Sequence, residues 1–227
     1  MPSRSGDTGK GPPWGSVLLR TRVPEVELIL HAGRRHVFSR GEVVFHEGDY
    51  GDAVHLVTRG HFAVQVTIRE GKTATLGVMG RGETFGEVAL FHPDARRVGR
   101  VVALEPGETL SIGREDFQTL RKEDPALTEA VLSILADKVR RYTRYLLEAL
   151  YVPAQIRVLR RLLELADTYA ANSDPIRVTQ VALAQMAGTS RATVNRVLRQ
   201  EQKRGTLELA RGRIVLLDRT RLEDRAG

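Results

Sequence analysis

The spacing of apolar residues changes near Pro125, and this change limits the possible folds more than any other feature. Before it, between residues 34 and 113, short runs such as EVVFHEG, AVHLVTRG and HFAVQVTI alternate apolar with polar residues and end at glycines. That pattern is typical of an all-β barrel or jelly roll. After Pro125, apolar residues recur every three or four positions, which predicts one long helix with an apolar stripe. The stripe consists of Val131, Leu135, Val139, Tyr142, Leu146 and Ala149.

An apolar stripe on a helix needs a partner. It can pack on the β domain of its own chain or on the same helix of a second subunit, and the sequence leaves both arrangements open. The helical pattern stops at Val152 and Pro153, because a residue before proline avoids the helical conformation and proline suits the first turn of a new helix. We interpret this point as a hinge, followed by a second amphipathic helix over residues 154–170.

The strongest motif is VTQVALAQMAGTSRATVNRVLRQEQKRG. Its first helix is predicted to start near Thr179 and to break at Gly188, and its second helix begins after Ser190, a suitable N-cap. This is a helix-turn-helix, and the two short strands around residues 210–213 predict a β-hairpin wing beside it. A hairpin of helices that only packs the core is the alternative, but it would not need several exposed arginines. The polar side chains on the outer face of the second helix are Arg191, Asn195, Arg196 and Arg199.

The positive charge is concentrated in the same part of the chain. Residues 151–227 contain 14 Lys and Arg against 8 Asp and Glu, a net charge of +6, whereas the whole chain has +7. A basic domain beside a nearly neutral one favours a polyanionic partner, because nucleic-acid affinity depends largely on phosphate neutralisation. A basic face that only keeps the protein in solution is the alternative reading of the charge.

Composition excludes several other classes. The chain has no cysteine, so disulfides, thiolate zinc sites and cysteine-ligated iron–sulfur clusters are ruled out. The apolar runs are short and interrupted by charges, and the first residues lack the apolar core of a signal peptide, so we expect a cytoplasmic protein without a membrane span. Residues 1–22 are rich in Gly, Ser and Pro and predict a flexible tail, and a short helix is predicted from Pro24 to His31.

Over about residues 24–220 the chain resembles bacterial transcription regulators of the cyclic-AMP receptor (Crp/Fnr) family. Three segments at matching separations carry the resemblance: RGEVVFHEGDYGDAVHLVTRGHFAV, the Gly-Glu cassette GEVAL at residues 86–90, and GTSRATVNRVL. The resemblance implies an α+β protein with an N-terminal cyclic-nucleotide-binding-type β jelly roll, a long dimerisation helix and a C-terminal winged helix-turn-helix. The expected divisions are a tail at 1–22, a sensor domain at 23–124, the dimerisation helix at 125–151 and the DNA-binding domain at 152–227.

The resemblance also implies a candidate ligand site for cyclic AMP or another small effector. Backbone amides after Gly86, at Glu87 and Val88, would meet a cyclic phosphate, Arg97 would pair with it, and Glu87 would accept a hydrogen bond from the ribose. An ion pair between Glu87 and Arg97, with no ligand, is the alternative explanation of these residues. The remaining candidates, Lys138, Tyr142 and Thr143, lie on the long helix.

The chain departs from the cyclic-AMP pattern at several of these positions. Val98 follows Arg97 where the family has a serine or threonine, which removes one hydroxyl donor to the phosphate. Lys138 replaces a common arginine, and the bulky Tyr142 precedes Thr143 where small polar residues face the adenine. Three outcomes stay open: weaker cyclic-AMP binding, a different ligand, or no effector. No metal or haem site is predicted, because the six histidines show no recurring spacing; they are His31, His36, His46, His55, His61 and His92.

By the same resemblance, a homodimer would place two recognition helices on an inverted repeat in double-stranded DNA, with RNA polymerase as a further partner. Arg191 and Arg196 would recognise guanines, whereas Ala192 stands where the family often has a glutamate and can contact only a thymine methyl. The expected phosphate contacts are Thr179, Ser190, Thr193 and Lys203. A non-specific architectural DNA-binding protein and an enzyme using Glu87, His92 and Asp94 are the alternatives from other classes.

Overall fold

The computed structural model describes residues 33–68, 73–91, 95–170 and 175–227. The predicted tail and the predicted helix from Pro24 to His31 lie outside these ranges, as do His92 and Asp94. The strands of the N-terminal part, here called the β domain, are β1 (Arg34–Phe38), β2 (Val43–Phe45), β3 (Ala53–Arg59), β4 (Phe62–Thr67), β5 (Thr73–Met79), β6 (Thr84–Phe85), β7 (Arg100–Ala103) and β8 (Gly107–Gly113).

These strands form two antiparallel sheets, in the orders β1-β8-β3-β6 and β2-β7-β4-β5. The alternation of apolar and polar residues gives each sheet an apolar inner face, and the two inner faces pack on each other. Side chains that meet there include Phe38, Val57, Phe62, Phe85 and Val101. The predicted N-terminal β fold is therefore confirmed.

Helices enclose one side of the β domain and build the rest of the chain. They are α1 (Val88–Phe91), α2 (Arg114–Glu123), α3 (Pro125–Tyr151), α4 (Ala154–Ala170), α5 (Gln180–Met186), α6 (Arg191–Lys203) and α7 (Arg219–Ala226). The outer face of the β1-β8-β3-β6 sheet contacts α1, α2 and the start of α3 through Leu56, Leu90, Ile112, Phe117 and Leu127. None of the helices in the described ranges has the length and apolarity needed to cross a membrane.

The apolar stripe of α3 has two parts. At its start, Val131 packs on the β domain of the same chain. Further along, Val139, Tyr142 and Leu146 are 65%, 42% and 61% exposed in the single chain. The first turns of α3 therefore contact the β domain of the same chain. The later turns present an uncovered apolar face, which is where the second partner considered from the sequence, a second subunit, could bind.

The C-terminal domain consists of α4 to α7 and the hairpin of β9 (Leu207–Ala210) and β10 (Arg213–Leu216). Its core is formed by the apolar faces of α4 and α6, with Leu162, Leu183 and Leu198 fully enclosed. Gly188 has φ +57° in the turn between α5 and α6, a conformation that favours glycine. The predicted helix-turn-helix and wing are both present.

The β domain and the C-terminal domain are in contact. Val78 of β5 belongs to the core of the C-terminal domain. The ring of His61 stacks on Tyr169 of α4 with 3.7 Å between the centroids. A side chain at Gly80 would come within 2.9 Å of the Thr168 methyl group. Strand β5 and the residue before β4 thus form one surface on which α4 packs.

Candidate ligand pocket and DNA-binding surface

Arg97 and Gly86 form the centre of the candidate pocket. Arg97 Nη1 donates hydrogen bonds to the backbone oxygens of Ala53, at 2.8 Å, and Gly86, at 3.2 Å. Gly86 has φ +84°, and a Cβ atom there would lie 2.5 Å from that same Nη1. Only glycine permits both the backbone conformation and the close approach of the guanidinium.

The Arg97 side chain is buried but not fully paired. Its Nη2 lies 3.4 Å from Asp52 Oδ1, and its guanidinium carbon lies 4.1 Å from the centre of the Phe45 ring. Among the described residues, the buried Nε has no hydrogen-bond partner. Burial lowers the pKa of Arg97, while the carboxylates of Asp52 and Asp49 oppose that shift. The pocket therefore holds a buried cation with one donor still available.

Glu87 is held by the long helix rather than by Arg97. Lys138 Nζ lies 2.8 Å from Glu87 Oε2 and donates a hydrogen bond to the backbone oxygen of Thr84 at 2.9 Å. Glu87 Oε2 is buried and accepts no aligned hydrogen bond within the described residues. Because Arg97 pairs with Asp52 and Glu87 with Lys138, the direct Glu87–Arg97 ion pair considered from the sequence is not found.

His55 lies on the inner face of β3, beside these groups. Its ring stacks on Phe85 with 5.1 Å between centroids, and its Nδ1 is 3.1 Å from Thr109 Oγ1. Burial, and then the charge of Arg97, lower the pKa of His55 to about 4. Sequence reasoning treated this histidine only as one of six, and it missed Asp52 and Phe45, because sheet pairing rather than sequence proximity brings all three to the pocket.

The structure brings four of the predicted ligand residues together and leaves four on the surface of the single chain. Arg97 contacts Gly86, and Lys138 contacts the adjacent Glu87. The exposed ones are Val88, Val98, Tyr142 and Thr143. Val98 is 69% exposed, and Tyr142 packs edge-on against Tyr145 with 6.3 Å between centroids. In the single chain the Tyr142 ring lies on an open helix face.

The helix-turn-helix is defined by two side-chain caps. Thr179 Oγ1 accepts a hydrogen bond from the Ala182 amide at 3.0 Å, and Ser190 Oγ accepts one from the Thr193 amide at 3.1 Å. Each cap satisfies a backbone donor that the first turn of a helix leaves unpaired. Both predicted helix starts are thus fixed by the residues that the sequence indicated.

The outer face of α6 is polar and open. Val194, Val197 and Leu198 are buried in the domain core, so the opposite side of the helix faces solvent. Asn195 donates a hydrogen bond to Gln180 Oε1 of α5 at 3.2 Å. Within the described ranges, Arg191 and Arg196 form no ion pair. The exposed predicted DNA residues of α6 are Arg191, Ala192, Asn195, Arg196, Arg199 and Lys203.

Three further arginines extend or support this surface: two on the wing that the sequence predicted, and Arg157 of α4, which the sequence did not single out. Arg211 and Arg213 are exposed on the turn of the wing, where Gly212 has φ +73°. Arg157 of α4 donates hydrogen bonds to the backbone oxygens of Val152, Ala187 and Gly188, at 2.7, 2.8 and 2.9 Å. One guanidinium thus joins the hinge to the turn of the helix-turn-helix.

Comparison with known proteins agrees with this architecture. The cyclic nucleotide-binding domain family matches residues 35–124, and the Crp-like helix-turn-helix domain family matches residues 156–225. The cyclic AMP receptor protein of Thermus thermophilus is 33% identical over 211 residues, which cover 92% of this chain and 96% of that protein. The chain belongs to the Crp/Fnr family. It is a Crp-like transcription regulator with a cyclic nucleotide-binding domain and a DNA-binding helix-turn-helix domain.

A second relative and a solved structure illustrate the extent of the similarity. The CRP-like cAMP-activated global transcriptional regulator of Mycobacterium tuberculosis is 30% identical over 194 residues, which cover 83% of this chain and 86% of that protein. The crystal structure of the Thermus thermophilus catabolite activator protein is 31% identical, covers 92% of this chain and 97% of its own, and has a TM-score of 0.54. The Mycobacterium tuberculosis relative is named as a transcriptional regulator, and the similarity spans both domains.

Proposed function

We propose that this Crp/Fnr regulator binds a cyclic nucleotide in the pocket around Arg97 and that the ligand controls specific binding of a homodimer to an inverted-repeat operator. In this proposal residues 23–124 form the sensor domain, 125–151 the dimerisation helix and 152–227 the DNA-binding domain. The observation that carries the proposal is the Arg97 guanidinium, buried against Gly86 with Nε unpartnered among the described residues. Such a donor suits an anionic ligand.

The other pocket residues have distinct roles in this proposal. Glu87 supplies a buried carboxylate oxygen that accepts no aligned hydrogen bond in the described structure, so it can accept one from a ribose hydroxyl. Lys138 holds that carboxylate and attaches the pocket to α3, which carries Tyr142 and Thr143 one turn further along. A ligand that contacts Glu87 would therefore also alter the contact between the β domain and α3. Val88 contributes only backbone in this arrangement, since its side chain is exposed.

A regulator that works without an effector is the second candidate, and specific observations favour it. Two backbone oxygens and Asp52 already contact Arg97, so the cation does not require a phosphate for its neutralisation. Val98 provides no hydroxyl for the phosphate. A hydrogen bond at such an exposed position contributes about 0.5–1.5 kcal/mol, so its absence weakens phosphate binding about twofold to tenfold.

Calorimetric titration with cyclic AMP and cyclic GMP distinguishes the two candidates. The wild-type protein, Arg97→Ala and Arg96→Ala are compared, because Arg96 is adjacent but packs outward over the Tyr50 ring at 3.6 Å. Binding to wild type and Arg96→Ala that is lost in Arg97→Ala supports the cyclic-nucleotide proposal. Absence of heat at millimolar ligand, with DNA binding intact, supports the effector-independent regulator.

The uncovered face of α3 supports the proposed homodimer. Val139, Tyr142, Leu146 and Leu150 follow one another at intervals of three or four residues and are all exposed in the single chain. A face of this kind suits the same helix of a second copy. We expect Leu146→Glu to give monomers in analytical ultracentrifugation. Arg140→Glu, which also changes an exposed position of α3, should remain dimeric.

The DNA contacts follow from the two recognition helices of such a dimer. Arg191 and Arg196 would recognise guanines in the major groove, Ala192 would contact a thymine methyl, and Asn195 and Arg199 would face the same groove. Thr179, Ser190, Thr193 and Lys203 would contact phosphates and set the register. RNA polymerase is the proposed partner of the bound dimer. In selections from random duplexes, Arg196→Ala should lose preference at one base pair in each half-site.

A further inference from the structure

A hydrogen-bonded contact joins the sensor sheet directly to the helix-turn-helix. Thr75 of β5 is 2% exposed and donates from its hydroxyl to Gln185 Oε1 of α5 at 2.7 Å. The amide of Gln185 in turn donates to the backbone oxygen of Thr73. Both ends of one side-chain amide are therefore used to hold α5 on β5, and the contact is closed to solvent at Thr75.

A β-bulge places Thr75 for this contact. Gln65 pairs with Thr75 and the preceding Val64 pairs with Gly77, so Leu76 is an extra residue in β5. An extra residue reverses the alternation of the strand from that point. As a result Thr75 and Val78, three positions apart, both face the C-terminal domain, one contacting Gln185 and the other entering the domain core.

The same threonine is linked along the outer face of the sheet to β7, the strand that follows Arg97. Gln65 of β4 donates to Thr75 Oγ1 at 3.4 Å, and Arg100 of β7 donates to Gln65 Oε1 at 2.9 Å. Strand β7 follows Arg97 by three residues. Its approach to β4 is close, since a Cβ at Gly99 would lie 2.5 Å from the Gln65 backbone oxygen. A displacement of the segment after Arg97 would therefore displace β4 and, through the side chain of Gln65, Thr75.

The docked position of α5 leaves the DNA-facing side of the motif open. Gln180, which holds Asn195, and Gln185 are five residues apart on α5, about 140° around the helix. The exposed arginines of α6 face solvent while Gln185 is bound to β5. The recognition helix α6 can therefore contact DNA while α5 is bound to β5, and this contact sets the orientation of α6 relative to the sensor domain.

We propose that Gln185 is a positioning residue that docks the helix-turn-helix on the sensor domain through Thr75, and that this contact transmits the position of β7 to the recognition helix. The docked arrangement is the one that binds DNA. Loss of the contact frees the orientation of α6 and lowers operator affinity, although no residue that touches DNA is changed. This role of Gln185 does not depend on a cyclic nucleotide being the effector, because any signal that displaces β7 would act through the same contact.

The test is a double-mutant cycle in the full-length protein. Thr75→Val, Gln185→Leu and the double variant are compared with two controls: Thr73→Val, because Thr73 contributes only its backbone oxygen, and Thr75→Ser, which keeps the hydroxyl. Binding is measured by fluorescence anisotropy on a duplex selected from a random library with the wild-type protein. One hydrogen bond corresponds to about twofold to tenfold in affinity.

We expect Thr75→Val to lose affinity within that range and Gln185→Leu to lose more, because it removes two hydrogen bonds. The double variant should lose no more than Gln185→Leu, and both controls should match wild type. Unchanged single variants, additive losses, or a gain in affinity on undocking would overturn the proposal. Hydrogen exchange at the α5 amides gives a readout without DNA, and it should accelerate in Thr75→Val but not in Thr73→Val. If the wild-type protein selects no duplex, the proposal of a specific operator is wrong. The hydrogen-exchange rates of α5 in Thr75→Val and Thr73→Val still show whether the contact holds α5 on β5.

Discussion

Acidification should destabilise this protein through one buried histidine, His55. In the fold its pKa is about 4, because burial and the nearby Arg97 disfavour its charged form, whereas the ordinary value is 6.5. Between these two pH values the unfolded chain binds a proton that the folded chain does not. Stability is therefore complete above about pH 6.5 and is lost as the pH falls toward 4.

The size of the effect follows from the two pKa values. The slope approaches about 1.4 kcal/mol per pH unit inside that window, and the loss between pH 7 and pH 5 is about 2 kcal/mol. The measurement is urea unfolding of wild type, His55→Gln and His46→Gln at both pH values, since His46 is exposed. The change in unfolding free energy between the two pH values is compared between wild type and each variant, so that the contributions of the other titrating groups cancel.

The pH dependence should shrink by about 2 kcal/mol in His55→Gln and persist in His46→Gln. Arg97→Ala should reduce it in part, because removing the guanidinium charge raises the pKa of His55. The reasoning is refuted if His55→Gln unfolds with the same pH dependence as wild type, or if the His55 ring titrates near pH 6.5 in the folded protein by NMR.

Three further predictions concern the pocket and the recognition helix. Val98→Ser should tighten cyclic-AMP binding about twofold to tenfold by restoring a hydroxyl donor at a position that is 69% exposed to solvent, and calorimetry showing less than a twofold gain would contradict this. Ala192→Glu should shift selected operators toward cytosine at one position per half-site, with a discrimination of about 1–3 kcal/mol; an unchanged base preference would count against the assigned docking. Gly86→Ala should destabilise the fold by more than the about 1–2 kcal/mol expected from a positive φ alone, because the new Cβ meets Arg97. Gly41→Ala is its control in thermal unfolding, since Gly41 has φ +83° and open space around it, and equal losses in the two variants would refute the clash.

Local signals in the sequence were sufficient to predict the helix-turn-helix. Ser190 was predicted as an N-cap and Gly188 as the break, and both follow from interactions within a few residues: a cap hydrogen bond of 3.1 Å and a φ of +57°. The strands of the β domain were equally visible, because alternation and glycine turns are also local patterns. These parts needed no knowledge of the tertiary structure.

The pocket could be predicted only in part, because its members come from distant segments. Glu87 and Arg97 belong to a recognisable cassette, whereas Asp52, Phe45 and His55 reach Arg97 through strand pairing. The bulge at Leu76, which turns Thr75 toward α5, has no clear signal in the sequence. The α3 stripe illustrates the same limit: its period predicted a helix but not where the contact with the β domain ends.

In the proposed function, ligand binding at Arg97 controls DNA binding by α6. This is tested by the dissociation constant of the full-length protein for its selected inverted-repeat duplex, measured by fluorescence anisotropy with and without saturating cyclic AMP. We predict tighter operator binding with the ligand, an equal factor gained in ligand affinity when operator is present, and neither effect in Arg97→Ala. An operator affinity that is identical with and without the nucleotide would contradict it.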